Sequence, residues 1–166
     1  MKKTILFSLL FIFSLLLNGC FGFCNDCSQN IREDPYKAVV LERNVFESSV
    51  KTLPSQDIVK SGKIYIKDNL MFVNDLNRGF QVYNYSNPQS PTKIGFIQIL
   101  GATDLSIRAN VIYINQAVDL VTLIYNPMSN SIVVNHRNKY VFPQKNSPNG
   151  TIPTVNENQI VVDWKL

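Results

Sequence analysis

The residues of this chain whose types could carry chemistry are few. The three cysteines, Cys20, Cys24 and Cys27, all lie near the N-terminus, and the single histidine is His136. Cys24-Asn25-Asp26-Cys27 has C-x-x-C spacing. A thioredoxin-type redox pair needs that spacing at a helix N-terminus within a βαβ unit, where the thiol pKa falls; here the flanks are small and polar. A zinc site needs two further ligands, and the sequence has one histidine and no second C-x-x-C. The pair therefore reads as an incidental feature or a disulfide closing a tether. His136 sits in Val133-Val134-Asn135-His136-Arg137-Asn138, a strand end beside charge, and reads as a solvated turn residue. Any Cys–His pair or His-bearing serine triad would have to use it.

The carboxylates are no more suggestive. Asp68, Asp75, Asp104 and Asp119 fall mainly at inferred strand ends, where aspartate serves turns by bonding nearby backbone. A glycosidase needs two carboxylates flanking one bond, and nothing in the spacing selects a pair. Asp68-Asn69 and Asn74-Asp75 offer oxygen ligands, but the ordered calcium loop D-x-D-x-D-G is missing. There is no G-x-S-x-G and no glycine-rich phosphate loop. The reading is of no catalytic residue, no cofactor and no metal. Among the many aromatics, Tyr85 and Trp164 are the least obviously core-bound, and they are the candidates for a carbohydrate or peptide platform.

What must position these residues begins with an address. Lys2 and Lys3 precede a nearly unbroken apolar run over residues 5–17, the layout of a secretory signal peptide, too short and wrongly flanked for a membrane span. Leu17-Asn18-Gly19-Cys20 resembles a bacterial lipobox. That resemblance implies cleavage after residue 19 and acylation of Cys20. The expected organisation is a signal peptide at 1–19, a lipidated flexible tether at 20–36 and one domain at 37–166. Lys2 and Lys3 supply half of the formal charge of +4. The remaining basic residues are scattered among acids, which argues against a nucleic-acid footprint.

The domain reads as all-β. Lys37-Ala38-Val39-Val40-Leu41-Glu42 has strand character, and residues 43–53 place Val45, Phe46, Val50 and Leu53 at helical spacing ahead of Pro54, predicting a short helix. After Gly62 the pattern becomes alternating. Strands are predicted at 63–67, 70–74, 80–83 and 92–100, separated by turn residues. A shift of 41 residues then lays Asn69-Leu70-Met71-Phe72-Val73-Asn74 onto Asn110-Val111-Ile112-Tyr113-Ile114-Asn115. It also lays Phe80, Val82 and Tyr83 onto Val121, Leu123 and Ile124. A weaker echo lies at Asn158-Gln159-Ile160-Val161-Val162-Asp163. Four strands in about 40 residues is a propeller-blade spacing. The bracketing asparagines read as turn anchors, since asparagine bonds local backbone and tolerates left-handed conformations.

Gly62-Lys63-Ile64-Tyr65, Leu70-Met71-Phe72-Val73-Asn74, Gly79-Phe80-Gln81-Val82, Asn87-Pro88 with Pro91, Phe96-Ile97, Gly101, Asp104 and Asp119-Leu120-Val121 together resemble the LVIVD-repeat family. These are propeller-like lipoproteins of bacteria related to Bacteroidetes. The resemblance covers residues 37–143, with Val161-Val162-Asp163-Trp164 similar to a later segment. It implies a β-propeller-like fold, lipid anchoring and no established enzymatic activity or cofactor. Family members continue further, and residues 62–166 supply only two to three blades of 41, whereas closed propellers have four to eight. Open edges would invite self-association.

The expectation is an incomplete propeller-like binding module, held in the bacterial cell envelope by lipid at Cys20. Its loops would meet a protein or carbohydrate partner. The alternatives are an envelope hydrolase with a carboxylate site in a propeller channel, or a non-functional fragment of a longer lipoprotein. Two carboxylates converging in one pocket would favour the hydrolase.

Overall fold

Apolar and polar residues alternate along most of the domain, and a chain with that period buries one face by pairing edge to edge with its neighbours. The computed structural model describes residues 33–166, and it is all-β with three antiparallel sheets, none closed. The expected signal peptide at 1–19, Cys20, most of the expected tether at 20–36 and the Cys24/Cys27 pair lie outside the described residues.

The elements run β1 (Lys37–Glu42), α1 (Arg43–Ser48), β2 (Lys51–Leu53), β3 (Ser61–Lys67), β4 (Leu70–Asp75), β5 (Gly79–Asn84) and β6 (Thr92–Gln98). They continue through β7 (Ala102–Arg108), β8 (Val111–Gln116), β9 (Asp119–Asn126), β10 (Ser131–Asn138) and β11 (Gln159–Lys165). The first sheet has strand order β2-β6-β5-β4-β3, the second β10-β9-β8-β7, and the third is the pair β1-β11. Strands β3–β6 and β7–β10 are two successive meanders. Their first two strands open at Ser61 and Ala102, and at Leu70 and Val111, each pair 41 apart. The weak third echo becomes β11, which pairs with β1 alone.

The predicted helix over 43–53 is shorter than expected. It ends at Ser48, and Lys51–Leu53 instead forms β2 against Phe96, Ile97 and Gln98. The cause is Ser49, whose Oγ donates to the Phe46 carbonyl at 2.7 Å while its N–H reaches the same oxygen at 3.3 Å. That closes the last turn and leaves the following residues free to join a ladder.

The two meanders pack face to face. Phe72, Phe80, Val82 and Ile97 of the first meet Leu105, Ile112, Ile114 and Leu123 of the second. At the edge, Lys63 Nζ and the Tyr65 hydroxyl both donate to Asp104, joining β3 to β7. A smaller cluster of Phe46, Val118, Ile160 and Val162 seals one end, where the β4–β5 and β8–β9 turns meet the β1–β11 pair. Gly79 lies at φ 142°, and a Cβ there would stand 2.0 Å from the Ile97 carbonyl oxygen, so only glycine fits. Asp34, at the end of the expected tether, accepts from Ser147 Oγ and from Asn149 Nδ2, so residue 34 is already bound to the domain.

Candidate functional site

The end of the sandwich opposite the β1–β11 pair is open, and two repeat-related turns frame it. Asp68-Asn69 joins β3 to β4 and Ala109-Asn110 joins β7 to β8, each a two-residue connection closed by a strand pair, Lys67 with Leu70 and Arg108 with Val111. Asp68 and Ala109 share the left-handed conformation, both at φ 53°. Aspartate tolerates it, whereas alanine pays about 1 kcal/mol for the crowding of its Cβ. Such strain persists where surrounding structure enforces it, and functional sites collect it.

Between the turns lies a cavity of about 150 Å³, floored by Leu70, Phe72, Ile107, Ile112 and Tyr125, with Lys67, Asp68 and Asn110 at its mouth. That volume holds a benzene-sized group. Phe72 and Tyr125 meet edge to face, 6.2 Å between centroids. The Tyr125 hydroxyl donates to Asn130 Oδ1 at 3.1 Å, and burial pushes its pKa up to about 12. A wider depression of about 460 Å³ adjoins the cavity, sharing Asp68 and Leu70 and extending to Ser86, Ile94 and the fully exposed Met128.

The walls are held by asparagines at turns. Asn84 Oδ1 accepts from Ser86 N–H at 2.9 Å and Asn126 Oδ1 from Met128 N–H at 2.9 Å, the self-bonded turns for which asparagine is suited. Asn130 donates through Nδ2 to the Leu53 carbonyl at 3.1 Å, tying the β9–β10 turn to β2. It fits because residue 95 is glycine: a Cβ there would lie 2.2 Å from Asn130 Oδ1.

The four aspartates singled out in the sequence are dispersed. Asp68 is an exposed turn residue paired with Lys67 at 2.8 Å. Asp75 and Asp119 are fully buried, a departure from the expected turn role. Asp75 accepts from the Lys60 N–H at 2.8 Å and from Arg78 Nη1 at 2.6 Å, pinning residues 59–60 to the first sheet. Asp119 accepts from Arg43 Nη1 at 2.6 Å, Arg137 Nη1 at 2.8 Å and the Tyr140 N–H at 3.1 Å. Arg43 lies 4.4 Å beneath the Tyr140 ring, and both arginines approach Phe46 at 5.4 Å. This cluster fastens α1 to the second sheet. At Asp104 burial opposes the charge, but the Lys63 and Tyr65 hydrogen bonds outweigh it and hold the carboxyl below its usual range. Burial, then the bond to Asp104, pushes Tyr65 up to about 12. Each carboxylate thus has its own set of structural partners.

His136 is exposed, and its ring Nε2 lies 2.6 Å from Asn138 Oδ1. Tyr85 follows β5 at the open end, its N–H bonded to the Asn69 carbonyl at 2.8 Å. Trp164 lies on β11, half-buried, with Nε1 donating to the Lys145 carbonyl at 2.9 Å. The two platform candidates therefore belong to different regions. Among the described residues no group of three or more His, Cys, Asp or Glu side chains is arranged to hold a metal ion. Of the repeat asparagines, Asn74 anchors the β4–β5 turn by donating through Nδ2 to the Gly79 carbonyl at 3.1 Å, and both Asn74 and Asn115 carry a buried Oδ1 without a partner among the described residues. Sequence reasoning missed Tyr125 and Lys67 as site residues. The signal that could have found them was the repeat itself, which aligns Asp68 with Ala109 and so pairs the turns.

Comparison with models of known protein families, with curated proteins and with solved structures returns no match.

Proposed function

We propose that this chain is a lipid-anchored, propeller-like binding module that takes an apolar group of its partner into the cleft between the Asp68-Asn69 and Ala109-Asn110 turns. The observation that carries the reading is the cleft's construction: an apolar floor of Leu70, Phe72, Ile107 and Tyr125 beneath a rim of Lys67, Asp68 and Asn110. Ligand sites are commonly apolar hollows with a few polar groups at fixed places. Two meanders offset by 41 residues support the propeller-like reading, and the lipobox-like Leu17-Asn18-Gly19-Cys20 supports the anchor. The buried aspartates are spent on structural ties, which favours binding over carboxylate catalysis.

Fluorobenzene observed by fluorine NMR tests the cleft. The full chain should broaden its resonance, and Ile107→Trp, which fills the hollow, should abolish the effect. An unbroadened resonance with the unaltered chain would count against the cleft as an apolar site. The anchor is tested separately. Cys20→Ser should end metabolic palmitate labelling and release the protein from the membrane fraction, and persistent labelling would remove Cys20 from the reading.

A further inference from the structure

Asn149-Gly150 is the one Asn-Gly pair among the described residues, and it lies in the loop that holds the start of the domain. The loop is a tight one. The Ser147 N–H donates to the Thr151 carbonyl at 3.0 Å, and the Gly150 N–H to the Ser147 carbonyl at 2.9 Å. The buried Ser147 hydroxyl accepts from the Thr151 N–H at 3.0 Å while donating to Asp34. Asp34 is the centre of the clasp. Its Oδ1 takes the Asn149 amide at 3.2 Å and the Tyr36 N–H at 3.0 Å. The Ser147 bond, then those from Thr151 and Tyr36, hold its carboxyl below the usual range, so it is charged at neutral pH. Asn149 and Gly150 are themselves exposed. Gly150 lies at φ 87°, and a Cβ there would meet nothing within 4 Å, so the glycine is open to solvent.

We propose that Asn149 is a site of spontaneous deamidation, and that the carboxylate it yields drives Asp34 off the 147–151 loop. The main-chain nitrogen of Gly150 attacks the side-chain carbonyl carbon of Asn149. A C–N bond forms there, the bond to Nδ2 breaks, and Nδ2 leaves as ammonia with the proton that Gly150 gave up. Water then opens the cyclic imide at either carbonyl, leaving aspartate or isoaspartate. Glycine at 150 exposes the attacking nitrogen, since it has no Cβ to shield it. In the closed loop both reacting groups are committed elsewhere, the Gly150 N–H to Ser147 and the Asn149 amide to Asp34. Ring closure thus waits for the clasp to open, and the product keeps it open. A carboxylate at 149 turns like charge on Asp34 where an N–H had donated, and like charges in reach disfavour each other. Isoaspartate also routes the main chain through the side-chain carbon, which adds an atom to a turn closed by two backbone bonds. Residues 34–36 then lose their hold ahead of β1, and the expected tether gains them. The loop is a latch that releases once.

Peptide mass mapping of the full chain, after a time course at neutral pH, tests the chemistry. The expected result is the mass gain of exchanging an amide for an acid, concentrated at Asn149, with the aspartate and isoaspartate peptides eluting separately. Asp34→Ala should quicken the change at Asn149 severalfold. It should leave the other asparagines as they were, which also shows that the variant is folded. Asn149→Asp supplies one product directly. In it the Tyr36 N–H should exchange with deuterium at least about tenfold faster, the worth of a hydrogen bond to a charged group. Asn149→Ala loses the bond without gaining a charge and should fall between. An Asn149 that stays an amide overturns the site. A rate unmoved by Asp34→Ala overturns the latch, as does Tyr36 exchange that is no faster in Asn149→Asp than in Asn149→Ala.

Discussion

Asp119→Ala should be the most damaging single change in the second sheet. It removes a fully buried carboxylate and leaves Arg137 without a counter-charge and Arg43 with only Glu47, at 3.7 Å, their side chains just 12% and 14% exposed. Breaking a buried ion pair from one side costs about 3–5 kcal/mol, because the surviving charge stays desolvated. Here two cations survive, so the upper part of that range is expected. Against a domain stability of about 5–15 kcal/mol this is a large fraction. It corresponds to a fall in melting temperature of roughly 10–20 °C for a domain of this size. Arg43→Met should cost less, since Arg137 still pairs with Asp119 and the Nε and Nη2 of Arg43 are buried without partners among the described residues. Asp68→Ala, which breaks an exposed pair, should cost under about 1 kcal/mol. Urea unfolding followed by the fluorescence of the single tryptophan, Trp164, measures all three. A loss below about 1 kcal/mol for Asp119→Ala would refute the reasoning, because it would mean the arginines are solvated as surface residues are.

Ala109→Gly should raise stability by up to about 1 kcal/mol by relieving the left-handed alanine, less the extra freedom glycine gives the unfolded chain. A loss of stability in thermal melts would show that the Ala109 methyl packs productively in the cleft. In an alkaline absorbance titration, two of the seven tyrosines, Tyr65 and Tyr125, should ionise near pH 12. The folded pKa of each is raised above the unfolded value of 10.0, so its contribution to stability is complete below pH 10 and is lost as pH rises through about 12. Seven tyrosines ionising together near pH 10 would contradict the burial of both.

Much of the fold was legible because it rests on local pattern. Alternation placed β3, β4, β5 and β6, and the 41-residue offset located β8 from β4; it fails at the next strand, where Val82 pairs with Phe72 but Leu123 pairs with Ile112, because the β4–β5 turn is one residue longer than the β8–β9 turn. What alternation cannot show is long-range partnership. Lys51–Leu53 reads as the tail of a helix until β6 is present to pair with it. Asp75 and Asp119 read as turn residues because what buries them comes from elsewhere: Asp75 takes the Lys60 N–H from 15 residues away, and Asp119 draws Arg43 from 76 residues away. The cleft was hidden for the same reason, since Phe72 and Tyr125 come from different meanders and only stacking brings them together.

Pairing β1 with β11 sets an order of events in time. Each meander closes through turns of a few residues and can form as soon as its own strands are available. The β1–β11 ladder instead joins residues such as Glu42 and Gln159, 117 apart, and must close a loop containing everything between. Contacts of that span form late, after the entropy of a long loop has been spent. The first strand after the tether therefore waits unpaired until β11 arrives, and α1 and the seal over the inter-sheet core wait with it. The domain therefore reaches its final state only once residues 159–165 are available to pair.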